Sequence, residues 1–131
     1  MHTNFSTKAM RDPRTGLEAI ARALQTLEAK HVDHLFDYGD GLEERLTGQH
    51  ETCAIDSFRQ GVANRGASVR IPAHVASQGF GYLEDRRPTA NADPYLVSAR
   101  LLDTVCGHGK GAQKQAPSAP AVASAREGAR L

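Results

Sequence analysis

A chain of 131 residues with 40% apolar side chains is long enough for one domain with a modest core and requires no second. A formal net charge of +1 excludes both the continuous basic field of a nucleic-acid coat and an acidic tail. No apolar run approaches the roughly 20 residues that a membrane helix needs.

The cations are mostly arginine, the side chain that grips carboxylate and phosphate through two parallel bonds, so the composition points to anionic small molecules. Cys53 and Cys106 belong to no C-x-x-C pair and read as reduced thiols. With no basic segment leading into a hydrophobic one at the N-terminus, the expected setting is cytoplasmic.

Residues 1 to 11, "MHTNFSTKAMR", are polar and aperiodic and read as a loop or a strand end. Then Leu17, Ile20, Leu24, Leu27, His31 and Leu35 recur at helical spacing, with Glu18 and Arg22 paired four apart on the outer face. Thr15 with Glu18 has the form of a capping box; Asp12-Pro13 is an alternative start, and Gly39 and Gly41 are stops.

From Gly48 to Pro88 short β-rich runs alternate with glycines. In "ASVRIP" the apolar Ala67, Val69 and Ile71 alternate with Ser68 and Arg70, placing Arg70 on the polar side of a half-buried strand. "FRQGVA" and "GYLEDR" are its expected neighbours. A period of two through the latter puts Tyr82, Glu84 and Arg86 on one face and Leu83, Asp85 and Arg87 on the other. Asp93-Pro94 opens a second helix with Val97, Leu101, Leu102 and Val105 as its apolar side and Gly107 as its end. The Ala-, Gly-, Pro- and Ser-rich residues 108–131 read as a disordered tail.

Glu84 and Arg86 fit a structural ion pair, or a metal-binding carboxylate beside a carboxylate-binding guanidinium. Arg65 and Arg70, flanking "NRGASVR", fit solvated surface or a nucleotide phosphate chain. His2, and His50 with Glu51, fit ordinary surface or a ligand and a base. Pattern alone reaches an α+β domain with an anion-binding, metal-assisted face. Without a basic stripe or an aromatic platform it points away from nucleic acid.

Four stretches, "HTNFSTKAMR" at 2–11, "RLTGQHET" at 45–52, "GVANRGASVRIP" at 61–72 and "GYLEDRRPTANADPY" at 81–95, resemble in order and spacing the C-terminal catalytic part of glutamine synthetase, in the class typical of eukaryotes and some bacteria. The likeness runs from residue 2 to about residue 107. It implies a partial catalytic domain of antiparallel strands with two main helices over residues 1–107. It also implies a ligase that uses ATP and Mg²⁺ or Mn²⁺ to join ammonia to L-glutamate through a γ-glutamyl phosphate.

Carried over by motif, the resemblance makes His2 and Glu84 metal ligands, and it makes Asn4, Phe5, Ser6 and Tyr82 nucleotide contacts. Arg65 and Arg70 neutralise phosphate charge, Arg65 also serving substrate and catalysis. Arg45 and Arg86 clamp glutamate, and Glu51 closes the site and takes a proton from ammonium. Glu84 and Arg86 would stand two residues' rise, or roughly 7 Å, apart along one strand.

The resemblance also implies a longer protein, beginning with a β-grasp domain and a first catalytic stretch that supplies most metal-binding glutamates. It implies rings of two stacked pentamers with sites between subunits. This chain is therefore expected to hold an incomplete site and to be inactive alone, with apolar surface bared on the Leu17–Leu35 helix. The alternative expectation is a non-catalytic remnant that associates with full-length subunits.

Overall fold

A computed structural model of the chain describes residues 1–107; the segment read as a disordered tail, 108–131, lies outside them. Four three-residue strands, β1 (Thr3–Phe5), β2 (Gln60–Val62), β3 (Val69–Ile71) and β4 (Leu83–Asp85), make one sheet in the order β1-β4-β3-β2. β4 is antiparallel to both neighbours, whereas β2 and β3 run parallel. The α+β expectation holds, but the expectation of antiparallel strands throughout needs correcting at this pair.

Parallel neighbours ordinarily need a crossover of about a dozen residues. Residues 63–68 suffice here because the strand they return along is only three residues long. The return is tight: Ala63 is left-handed (φ 55°), Gly66 N–H donates to Asn64 Oδ1 at 2.8 Å, and Ala63 N–H donates to Ile71 O at 2.9 Å. A Cβ on Gly61 would lie 2.8 Å from Asn64 Cβ, so glycine at 61 is what lets the loop fold back over β2. Arg65 rides on the tip of this loop.

The opening eleven residues are more ordered than their pattern suggests. They form β1 and then α1 (Lys8–Arg11), capped by Thr7, whose hydroxyl accepts from Met10 N–H at 3.2 Å. The strand was illegible locally because its partner, β4, lies some eighty residues away. α2 (Gly16–Ala29) does not start with a capping box: Thr15 is already helical, and its hydroxyl donates to Ala9 O at 2.8 Å instead. The turn begins at Asp12, the alternative start, whose carboxylate accepts from Arg14 N–H at 2.9 Å.

The single helix expected from Leu17 to Leu35 is in fact two. Lys30 (φ −104°, ψ 15°) interrupts it, and α3 (His31–Asp37) follows. Beyond it His31, as expected, and His34 are buried, and Val32 and Phe36 are exposed. Leu17, expected on the apolar face, is 42% exposed, because the stripe that meets the core is Ile20, Ala23, Leu24 and Leu27.

α4 (Leu42–Arg45) and α5 (Ala73–Gln78) are short, and α6 (Pro94–Cys106) is the second long helix. Asp93 caps α6 by accepting from Tyr95 N–H at 2.8 Å, and Gly107 ends it in the left-handed region, both as expected. Val97 and Leu101 are buried against α2 and α3; Leu102, assigned to the same face, is 53% exposed. The core of Met10, Leu24, Leu27, Leu46, Val69, Ile71, Val75 and Leu83 lies between the helices and one face of the sheet. Each such large apolar side chain contributes about 1.5–3 kcal/mol on full burial. Cys53 is buried and Cys106 exposed, and both are free thiols. Among the described residues, no helix is long and apolar enough to cross a membrane.

Candidate functional site

The face of the sheet turned away from the core carries a row of aligned positions. Register pairs Asn4 with Glu84 across β1 and β4, Glu84 with Arg70 across β4 and β3, and Arg70 with Gly61 across β3 and β2. Alternation in β4 then sends the four consecutive charges two ways: Glu84 binds Arg86 at 3.2 Å on this face, and Asp85 binds Arg87 at 2.7 Å on the other.

Glu84 is the hub. Its Oε2 lies 3.2 Å from Arg86 Nη1 and 2.7 Å from Arg70 Nε, and its Oε1 lies 3.2 Å from His2 Nδ1. The Arg70 N–H is not directed at the carboxylate, so that contact is ionic rather than a hydrogen bond. Glu84 and Arg86 are only 7% and 9% exposed, deeper than a half-buried strand implies, because two loops fold over them. Arg86 donates from Nε to Arg65 O at 3.1 Å and from Nη2 to Glu51 O at 3.4 Å.

Arg65 Nη1 in turn reaches Glu51 Oε1 at 3.3 Å, and Arg45 Nη2 donates to Arg86 O at 3.1 Å. Arg45 Nε is buried without a hydrogen-bond partner among the described residues. His50 and Glu51 are both left-handed (φ 53° and 62°), a strained arrangement for two successive non-glycine residues.

The structure thus joins His2, Arg45, Glu51, Arg65, Arg70, Glu84 and Arg86 in one contiguous network. Two guanidinium groups on a single buried carboxylate, with two more nearby, leave the patch locally cationic. Partial burial lowers the affinity of His2 for protons, and the charge of Arg86 lowers it further against the opposing pull of Glu84. His2 is therefore neutral near pH 7 and keeps a free lone pair. His2 Nδ1 and Glu84 Oε1 are donors of the right chemistry, spaced as neighbouring ligands about 2.1 Å from one ion would be. Among the described residues no cluster of three or more such donors exists, so a shell built on this pair needs water or ligand oxygens to complete it.

Asn4, Phe5, Ser6 and Tyr82 border a separate hollow of about 500 Å³ beside this row. Its wall also includes Arg11, Phe80 and His74, whose ring lies 5.5 Å from that of Tyr82. Sequence reasoning did not single out these three. His74 meets Tyr82 only because α5 turns back over the start of β4, which no local period records. A second hollow of about 600 Å³, between Arg45, Glu44, Thr47, His50 and Thr89, opens on the other side of Arg45.

No family model matches the chain. Among curated proteins, it is 54% identical over 106 residues to the glutamine synthetase of Yarrowia lipolytica, covering 81% of this chain and 29% of that protein. It is 55% identical over 106 residues to that of Debaryomyces hansenii (81% and 28%), and 56% identical over 104 residues to the chloroplastic glutamine synthetase of Chlamydomonas reinhardtii (79% and 27%). The chain spans a little over a quarter of the length of the relatives it matches.

Proposed function

We infer, from the premise that this chain is homologous over most of its length to part of the glutamine synthetases, that it carries one portion of a site joining ammonia to L-glutamate at the expense of ATP. The observation that supports this reading best is the pairing of Arg70 and Arg86 with the buried carboxylate of Glu84, with Arg45 bonded to the Arg86 carbonyl and Arg65, whose carbonyl accepts from Arg86, beside them. A domain gains little stability from gathering like charges in one place, whereas two anionic substrates that must meet require it.

In this reading the glutamate side-chain carboxylate attacks the terminal phosphorus of ATP, giving γ-glutamyl phosphate and ADP. Ammonia then attacks the acyl carbon, phosphate leaves, and the nitrogen gives up its proton. Arg65 and Arg70 neutralise charge on the phosphates, and Arg45 and Arg86 orient the glutamate carboxylates. Glu51, on its strained loop, takes the proton and shields the acyl phosphate from water. Asn4, Phe5, Ser6 and Tyr82 hold the nucleotide in the adjoining hollow. A Mg²⁺ or Mn²⁺ ion would be held by His2 and Glu84 and would lower the charge of the phosphates.

Two donors are too few to hold such an ion alone, so the isolated chain binds nucleotide weakly and does not complete the reaction. Hydroxylamine in place of ammonia gives a coloured γ-glutamyl hydroxamate, which makes the test direct. The 131-residue chain should form none alone, and should form it when the remainder of a homologous synthetase is supplied as a second chain. Product from the chain alone would overturn the first expectation. Nucleotide affinity unaltered by Arg70→Ala would overturn the site.

A second reading, association with full-length subunits without catalysis, is favoured by the exposed Val32, Phe36, Tyr95 and Leu96. Co-purification with an intact synthetase, with no gain of hydroxamate, would select it. Assembly into stacked pentamers and a cytoplasmic setting belong to the same proposal.

A further inference from the structure

The face of β4 opposite the substrate side holds a row of buried polar groups that the reaction does not use. Thr104 Oγ1 lies 2.7 Å from His34 Nε2, His34 Nδ1 lies 2.6 Å from the Tyr38 hydroxyl, and that hydroxyl lies 2.6 Å from Asp85 Oδ2. Asp85 accepts from Arg87 Nε at 2.9 Å, from Arg87 Nη2 at 2.7 Å and from the Arg87 backbone N–H at 3.1 Å. Arg87 Nη1 then reaches His31 Nδ1 at 2.8 Å, and His31 Nε2 reaches Ile55 O at 2.9 Å. All five side chains from Thr104 to Arg87, and His31, are buried.

Elementary hydrogen-bond arithmetic fixes every proton in this row. Arginine can only donate, so His31 Nδ1 is the acceptor and its Nε2 carries the proton given to Ile55 O. A carboxylate can only accept, so the Tyr38 proton points at Asp85. The phenol oxygen must then receive a proton from His34 Nδ1, and with His34 neutral, as burial and the charge on Arg87 hold it, His34 Nε2 receives one from the Thr104 hydroxyl. The direction of donation runs from Thr104 through His34 and Tyr38 to Asp85. It agrees with the low proton affinity of both imidazoles, to which burial and then the charge on Arg87 contribute at His34.

We propose that Thr104, acting through His34 and Tyr38, is a positioning residue: it sets Asp85 and thereby the angle at which β4 presents Arg86 on the opposite face. The mechanical link is short. Asp85 binds the backbone N–H of Arg87, and the intervening Arg86 donates its own N–H to Ser68 O at 2.9 Å. The peptide units on both sides of Arg86 are therefore pinned, one by the buried row and one by the strand edge. Without the Thr104 hydroxyl, His34 Nε2 is left a buried lone pair with no donor, and the imidazole loses the contact that fixes its plane. The His34–Tyr38 and Tyr38–Asp85 bonds then loosen, weakening one of the two anchors on Asp85 Oδ2.

The part of the test that uses a nucleotide rests on the reading of the Arg86 face given above. In the intact chain at pH 7.5, long-range nitrogen–proton spectra should show His34 protonated at Nδ1 and His31 at Nε2. Either opposite tautomer, or an imidazolium, overturns the inference without any variant. Thr104→Val should shift the Arg86 Nε–H resonance and weaken binding of L-glutamate, in the presence of Mg²⁺ and a non-hydrolysable ATP analogue, by about three- to tenfold, read well below the melting temperature. Thr104→Ser should restore both. A Thr104→Val protein that melts lower but keeps the wild-type resonance and affinity would reduce the row to a stabilising core and overturn the proposal. If the wild-type chain binds no glutamate under these conditions, the substrate reading of the Arg86 face fails, and the Arg86 resonance alone still decides the positioning role.

Discussion

Arg86 and Arg87 are adjacent, both buried, and committed to different things. Arg87 is enclosed completely, its guanidinium bonded to Asp85 and His31 and lying 5.1 Å and 5.3 Å from the ring centres of Tyr38 and Phe58. Replacing it by methionine would keep much of the volume and strand Asp85 as an unpaired buried anion. A loss of about 3–5 kcal/mol is expected in urea denaturation. Arg86 spends its donors on Glu84, Glu51 O and Arg65 O; in the glutamate-binding role proposed above, a substrate carboxylate would have to displace one of them. A lysine at 86 offers a point charge without the fork. Arg86→Lys should therefore keep the fold and its melting temperature within a few degrees while losing most glutamate-dependent binding, checked by calorimetric titration.

The buried histidines also set a pH limit. His34 is held neutral, with its pKa lowered from 6.5 to about 3, first by burial and then by the charge of Arg87. The unfolded chain takes up this proton below about pH 6.5 and the folded one does not. Stability from this group is thus complete above pH 6.5 and drains as the pH falls toward about 3. Burial, acting with the charge on Arg87, lowers His31 in the same direction. For Asp85, burial would raise the pKa but the charge and hydrogen bonds of Arg87 outweigh it, so its contribution is present above the ordinary carboxylate range and is lost as the pH falls below it. Urea midpoints should be flat from pH 8 to 7 and then fall steadily to pH 4. A midpoint that rises on acidification would contradict the assigned protonation.

Among the elements, β4 was legible because a period of two is a local property: Tyr82 to Arg87 could be sorted onto two faces from the sequence alone. The depth of Glu84 and Arg86 was not, since their cover comes from loops 46–54 and 63–68, distant in the chain. The α2–α3 break at Lys30 was hidden for a similar reason. Helical spacing continues through it, while the bonds that fix α3, from His31 to Arg87 and from His34 to Tyr38 and Thr104, reach groups distant in the chain in two of the three cases. Motif order brought the arginines to one site, yet it gave no hint of His74, which pairs with Tyr82 by tertiary contact. Gly16, which no sequence pattern singled out, marks a close approach: a Cβ there would lie 2.5 Å from Phe80 Cβ and 2.7 Å from Met10 O. Gly16→Ala should cost about 1–3 kcal/mol through displacement of the Phe80 segment that walls the hollow beside Tyr82, measurable by thermal melting.

At the scale of the whole molecule, the described residues leave Phe36 and Tyr95 more than four-fifths exposed and Val32 nearly two-thirds exposed. Apolar surface of this kind favours partners over water. Sedimentation should show concentration-dependent association that salt does not suppress, and Phe36→Asp should reduce it. The sheet itself is the sparest part of the architecture. Its strands are three residues long, and β2 forms an edge among the described residues. So short a ladder cannot govern its own opening, and backbone amides in deuterium oxide should report that hierarchy. Those of α2, and of β4 clasped between two strands, should outlast those of β2 by orders of magnitude, because a strand wetted along one side is released by a local fluctuation while the others await the unravelling of the entire domain.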